Sequence, residues 1–292
     1  EDGIRDRSPS RGLGDVYKRQ RIWESLFALP FAYIALILAS DGLPSSNDIL
    51  WVTIAMITAR TFAMCMNRLA NEKEDGINPR TMNRHLQSGL LNRKDMWTLI
   101  IPSSLFFLVS AYMLNTFVLI LAPFALGYIA FYSFSKYFTW MCNIILGSSL
   151  AIAPVGAWFG VTGTFSYIPL ILGLAVTLWA SGFDIIYACL DYDFDTENGI
   201  NSIPSKFGIS GALKLTKFFH GAAILSLIGL GIILNLNAIY FIGCTIASIL
   251  LAYENILVKP TDLSKVNIAF FRINGLISMI LLVFTATSVM II

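Results

Sequence analysis

Apolar runs close to twenty residues long recur along this chain from about position 23 to its end. A helix rises 1.5 Å per residue, so about 20 residues are needed to cross roughly 30 Å of hydrocarbon, and runs of this length restrict the chain more than any other feature. Inside lipid the backbone must satisfy its own hydrogen bonds, which leaves helices or closed barrels, and barrel strands need only about 10 residues. The sequence therefore predicts an all-α, polytopic membrane protein. Composition agrees, with 56% of residues hydrophobic and 13% charged against roughly a quarter charged in soluble domains. Nine transmembrane helices are expected, near residues 23–40, 49–69, 96–114, 117–134, 139–160, 166–190, 213–234, 236–254 and 269–291. The seventh and eighth are separated by little more than Asn235 and Asn237.

Charge orients the bundle. With the N-terminus in the cytoplasm, every Lys and Arg except Arg60 falls in a cytoplasmic segment or at the cytoplasmic end of a span, which is the bias of the positive-inside rule and supports an odd number of spans. Residues 1–20 are polar and rich in Arg, Gly, Ser and Asp, without the apolar core of a signal peptide; they are expected to be a disordered tail or a non-native remnant, leaving 21–292 as the transmembrane domain. The net charge of +2 is small and its basic residues follow from topology, so the lipid bilayer and not nucleic acid is the expected partner. Cys65, Cys142, Cys189 and Cys244 stand singly in apolar spans, the pattern of small buried hydrophobes.

Two carboxylate-rich stretches sit where predicted spans reach the cytoplasm. One runs from Asn67 to Asp75, the other from Asp184 to Asp195. Charge at the edge of hydrocarbon is expensive, so its retention marks a functional site. At about 100° per residue, Asn67, Asn71 and Asp75 share one helical face, as do Asp184, Tyr187, Asp191 and Asp195. Each stretch ends a helix of the same direction and precedes an Asn- and Pro-containing loop, a weak parallel repeat that sets two oxygen strips around one cavity open to the cytoplasm. Hard oxygen donors at such a mouth suit Mg²⁺ shared with substrate phosphates. Arg80, Arg84, Lys136 and Lys206 lie in the adjoining cytoplasmic loops; together with a metal they suit a diphosphate, although each alone also serves as a positive-inside charge. Arg60 lies well inside the second span, seven residues before Asn67. At that depth it needs a water-filled cavity, an anionic ligand, or an acid such as Asp184.

The run Ala59-Arg60-Thr61 through Asn67, continued to Asp75 and Asn78-Pro79-Arg80, resembles the first motif region of the UbiA superfamily of membrane prenyltransferases. Asp184-Ile185-Ile186-Tyr187, Asp191 and Asp195 resemble its second, D-x-x-Y-x-x-x-D-x-x-x-D, and the motifs are most similar to those of bacterial 4-hydroxybenzoate polyprenyltransferase-like members. The resemblance implies a helical bundle around a central cavity open to the cytoplasm and to lipid, with Asn67, Asn71, Asp75, Asp184, Asp191 and Asp195 holding Mg²⁺ against a polyprenyl diphosphate. It implies substrate-binding roles for Arg60, Arg80, Arg84, Lys136 and Lys206, with Arg60 or Lys136 meeting the carboxylate of an aromatic acid acceptor. Tyr187 would shield an allylic cation and Asp191 or Asp195 would accept the ring proton. The chain departs from the family pattern at Arg68 and Asn71, where Asp is usual; the second change removes a charge from the metal strip. Two other classes retain some of these features: a secondary transporter, disfavoured by the clustering of acids at one mouth, and a lipid-diphosphate binder without turnover, suggested by Asn71.

Overall fold

The structure, a computed structural model, describes residues 28–291, and all of its regular elements are helical apart from one isolated bridge between Lys259 and Asp262. The predicted tail 1–20 and the first residues of the predicted span 23–40 lie outside the described residues. Helix α1 (Leu29–Ser40) is apolar on every side, and eight of its residues, Phe31 and Leu36 among them, are buried. A helix hydrophobic all round belongs in the centre of a bundle, and α1 is enclosed there. It ends at Asp41, whose left-handed φ of 48° closes the last turn.

Around it run α2 (Ser46–Ala70), α4 (Arg93–Leu114), α5 (Thr116–Ser135), α6 (Cys142–Thr162), α7 (Ile168–Ala188), α9 (Ile203–Ile233), α10 (Ala238–Leu257) and α11 (Asn274–Met290); two short helices, α3 (Glu72–Ile77) and α8 (Tyr192–Glu197), follow α2 and α7. Eight helices among the described residues are long and apolar enough to cross a membrane. The first predicted span, 23–40, appears as α1, whose 12 described residues are shorter than a crossing requires.

Local chemistry sets the boundaries. Ser45 accepts from the Asp48 N–H at the start of α2, and Asn92 and Asp95 form a capping box on α4. Asn115 joins α4 to α5 while its amide donates to the Phe159 and Gly160 carbonyls of α6. The link at Asn235 and Asn237 is a true break: Asn235 takes a φ of 52° and Asn237 caps α10. Helix α9 begins about ten residues earlier than its apolar run predicts. Ser202 and Ser205 form a capping box and Pro204 occupies the first turn, so polar residues that read as loop extend the helix, with a break at Gly208 (φ 69°, ψ 163°).

Packing is densest between α6 and α7 and between α7 and α9, where glycines let backbones meet. A Cβ on Gly147 would strike Ser181 and the Thr177 carbonyl, and one on Gly182 would strike the His220 ring. Apolar solvent gives helices little reason to associate, so such close dispersion contacts hold a membrane bundle together. The four cysteines are free and buried.

Gly147→Ala should lower the unfolding midpoint in detergent, the overpacking costing about 1–3 kcal/mol, whereas Gly229→Ala, with nothing in the way, should not. Equal midpoints for the two variants would refute the close-contact account.

Candidate active site

The two motif stretches meet at one end of the bundle. Helix α2 stops at Ala70 and Asn71 leaves helical angles (φ −105°, ψ 19°) before α3 resumes. The bonds Asn71 N–H to Asn67 O (3.1 Å) and Asp75 N–H to Asn71 O (2.9 Å) nevertheless carry the i, i+4 pattern across the break. In the second stretch a 3₁₀ turn, Cys189–Asp191, separates α7 from α8. The single uninterrupted helix expected from the sequence is thus replaced by a tightened turn, which has about 3.0 residues per turn and rotates the later carboxylates relative to Asp184.

Arginines from the loop after α3 reach both stretches. Arg80 grips Asp191 with two nitrogens, Nε to Oδ1 at 2.8 Å and Nη2 to Oδ2, and donates to the Tyr187 hydroxyl at 3.0 Å. Asn78 adds a donor to Asp191 Oδ1 at 3.0 Å. Arg84 Nη1 pairs with Asp75 Oδ2 at 2.6 Å. Burial opposes the Arg80 charge, but its bond and attraction to Asp191 outweigh that cost and leave its pKa above the ordinary value. Lys136, at the end of α5, is half-buried; burial lowers its pKa, while Asp75, Glu74, Asp195 and Asp191 pull the other way. Four acids thus attract one ammonium.

The remaining carboxylates are held by neutral donors. Asn143 Nδ2 donates to Asp184 Oδ2 at 2.7 Å, and its Oδ1 accepts the Ile203 N–H at 3.0 Å, so one buried amide joins α6, α7 and the start of α9. Ser202 donates to Asp195 Oδ2 at 3.1 Å. The Tyr137 hydroxyl lies 3.0 Å from Asn71 Oδ1 and 2.7 Å from Glu74 Oε2; burial, then the Glu74 bond, raises its pKa.

A cavity of about 720 Å³ extends from this cluster into the bundle. Arg60, Asn67, Arg68, Arg84, Asp184 and Tyr187 line its polar end, and residues such as Val52, Leu114, Leu150 and Phe159 line the rest. Arg60 and Asn67 share the cavity-facing side of α2, as their spacing predicts. Asp75, Asn71, Asp191, Asp195, Arg80 and Lys136 do not line the cavity but lie behind its polar end, with Asp75 reached through Arg84 and Asp191 through Arg80 and Tyr187. Lys206 is exposed in the first turn of α9 and bonds to none of these groups.

Among the described residues no three acidic, His or Cys side chains converge closely enough to hold a metal ion. Arg80 and Arg84 sit on carboxylates that such an ion would share. The donor set itself, four carboxylates with the amide oxygens of Asn67 and Asn71, is all hard oxygen and fits Mg²⁺.

Sequence reasoning overlooked Asn143, Tyr137 and Phe270. Asn143 carried a usable signal, a polar residue within an otherwise apolar span. Tyr137 and Phe270 carried none, because aromatic residues are frequent throughout such a chain.

The profile of the UbiA prenyltransferase family matches residues 28–276. A 4-hydroxybenzoate octaprenyltransferase of Francisella tularensis subsp. novicida is 30% identical over 236 residues, covering 81% of this chain and 83% of that protein. One of Pseudoalteromonas translucida is 29% identical over 256 residues, covering 82% and 85%. Among solved structures, a UbiA homolog from Aeropyrum pernix superposes with a TM-score of 0.78 at 26% identity, over 92% of this chain and 97% of that one. A UbiA homolog from Archaeoglobus fulgidus bound to DMAPP and Mg²⁺ has the same fold, with a TM-score of 0.66 at 18% identity, over 91% and 98%. The chain belongs to the UbiA prenyltransferase family, and is thereby a multi-pass membrane enzyme of prenyl transfer.

Asn143→Leu leaves a buried carboxyl and a helix N–H without partners and should destabilise the protein by about 2–4 kcal/mol in detergent unfolding. Tyr137→Phe, at a more exposed hydroxyl, should cost about 1 kcal/mol or less. A wild-type midpoint for Asn143→Leu would show that its two bonds are not formed.

Proposed function

We propose that this enzyme transfers a polyprenyl group from polyprenyl diphosphate to an aromatic acid acceptor, 4-hydroxybenzoate or a related quinone precursor, in ubiquinone or menaquinone biosynthesis, with Mg²⁺ as cofactor. The observation that carries the reading is the amphipathic cavity: guanidinium, carboxylate and amide groups at one end, apolar walls for the remainder. A diphosphate with a long hydrocarbon tail has the same division. The names of the bacterial relatives support 4-hydroxybenzoate as acceptor. The one-sided distribution of Lys and Arg supports a bacterial cytoplasmic membrane location with N-terminus and site facing the cytoplasm.

Asn67, Asn71, Asp75, Asp184, Asp191 and Asp195 are the proposed metal ligands. Bound Mg²⁺ supplies positive charge that neutralises the departing diphosphate. Arg80 and Arg84 exchange their carboxylate partners for phosphate oxygens, which guanidinium binds with the same forked geometry. Lys136, which four acids attract, adds a further cation, and Lys206 contributes from the mouth. As the allylic C–O bond breaks, its electron pair stays with the diphosphate oxygen and the carbon becomes cationic. The face of Tyr187 lies beside that carbon, an interaction of about 1–2 kcal/mol when dry. A ring carbon ortho to the acceptor hydroxyl then forms the new C–C bond while Arg60 or Lys136 holds the acceptor carboxylate. The displaced ring proton passes to Asp191 or Asp195.

Purified protein incubated with Mg²⁺, polyprenyl diphosphate and 4-hydroxybenzoate should give prenylated product that a chelator abolishes. Diphosphate binding without product would identify a binder that has lost turnover; no diphosphate binding would sink both readings and favour a transporter. Asp191→Ala and Asp195→Ala should each cut turnover roughly 100-fold or more while the protein stays folded, and wild-type rates would refute the ligand assignment. Asn71→Asp should tighten Mg²⁺ dependence, the amide being the weaker ligand; an unchanged metal titration would mean that Asn71 is not a ligand.

A further inference from the structure

A helical turn of the wide, π type, Ile268–Ile273, precedes α11 and carries Phe270 to the cavity. The Phe270 ring lies 4.4 Å from that of Tyr187 and 5.2 Å from that of Phe183, centroid to centroid. Such a turn inserts one extra residue and weakens the regular carbonyl pairing, so it persists only where something else satisfies those carbonyls.

Asn274 does so. Its side-chain amide nitrogen approaches the Ala269 carbonyl (3.1 Å) and the Phe270 carbonyl (3.3 Å), both inside the π turn, and the Glu254 Oε1 (3.0 Å) of α10. Its oxygen accepts from the indole N–H of Trp179 on α7 at 2.7 Å. An amide has two distinguishable ends, and an indole can only donate. Trp179 therefore fixes which end of Asn274 faces the turn, and Glu254 fixes it from the other side. Asn274 and Glu254 are fully buried, so no solvent competes for these bonds.

We infer that Asn274, oriented by Trp179 and Glu254, is a positioning residue that holds the π turn and thereby sets the Phe270 ring against Tyr187 at the site of prenyl transfer. Phe270 and Tyr187 together form one aromatic wall of the cavity next to Asp184. The role of that wall in transfer rests on the function proposed above; the placement of Phe270 does not.

The test reads placement and activity separately. Protein labelled with fluorotyrosine, its Tyr187 resonance assigned with Tyr187→Phe, reports ring stacking without any substrate. Asn274→Leu and Trp179→Phe, the latter keeping a ring between Phe31 and Phe183, should shift this resonance in the direction that Phe270→Ala does. Glu254→Leu should shift it likewise and Glu254→Gln, which retains an acceptor oxygen, should not. Transfer should fall roughly 10- to 100-fold in Asn274→Leu and Trp179→Phe, and combining either with Phe270→Ala should add no further loss. An unmoved Tyr187 resonance in Trp179→Phe would overturn the inference even if Asn274→Leu fails to fold. So would losses that multiply in the double variants. If wild-type protein transfers nothing, the proposed substrates are wrong, and the resonance still decides the placement.

Discussion

The bidentate pairing of Arg80 with Asp191 closes a contact between residues more than a hundred positions apart in sequence. It joins the loop after α3 to the turn between α7 and α8, while Thr81 and Gln87 bond to the backbone of α3. Asn78 bonds to the same Asp191 and Arg84 pairs with Asp75 of α3, so the two acidic stretches meet. Carboxylates crowded in this way repel one another, and guanidinium groups supply the opposite charge while leaving the cluster partly open: the Arg80 side chain is 31% exposed.

Three asparagines tie the helices of the bundle to one another. Asn115 ties α4 and α5 to α6, Asn143 ties α6 to α7 and α9, and Asn274 ties α11 to α7 and α10. Asparagine suits this work because its amide both donates and accepts, joining elements on two sides without introducing a charge. The helices gain little from leaving water, and these directional links together with glycine contacts specify how they pack.

The eight long helices, the acidic stretches at the ends of two of them and the sharing of one face by Arg60 and Asn67 were legible because they depend on run length and on the helical period. What escaped depends on contacts across the fold. The 3₁₀ turn before Asp191 follows an apolar stretch that reads as continuous helix, and the early start of α9 is concealed by Ser, Lys and Gly residues that resemble a loop. Arg80 and Arg84 read as phosphate ligands, yet in the structure each is engaged with a motif carboxylate. Nothing in one-dimensional spacing reveals that choice of partner. Phe270 is one aromatic among many until the π turn sets it opposite Tyr187.

The cavity wall includes Ile57, Leu121 and Phe124, and Phe124 is 74% exposed on the outer, apolar side of the bundle. Under the proposed function such a boundary would be shared with the bilayer, and the cavity's volume of about 720 Å³ would set no upper limit on the length of a bound tail. Surplus hydrocarbon would continue into the lipid. Encounter would then occur by diffusion in two dimensions, and occupancy would follow the number of molecules per unit area of membrane instead of their concentration in water.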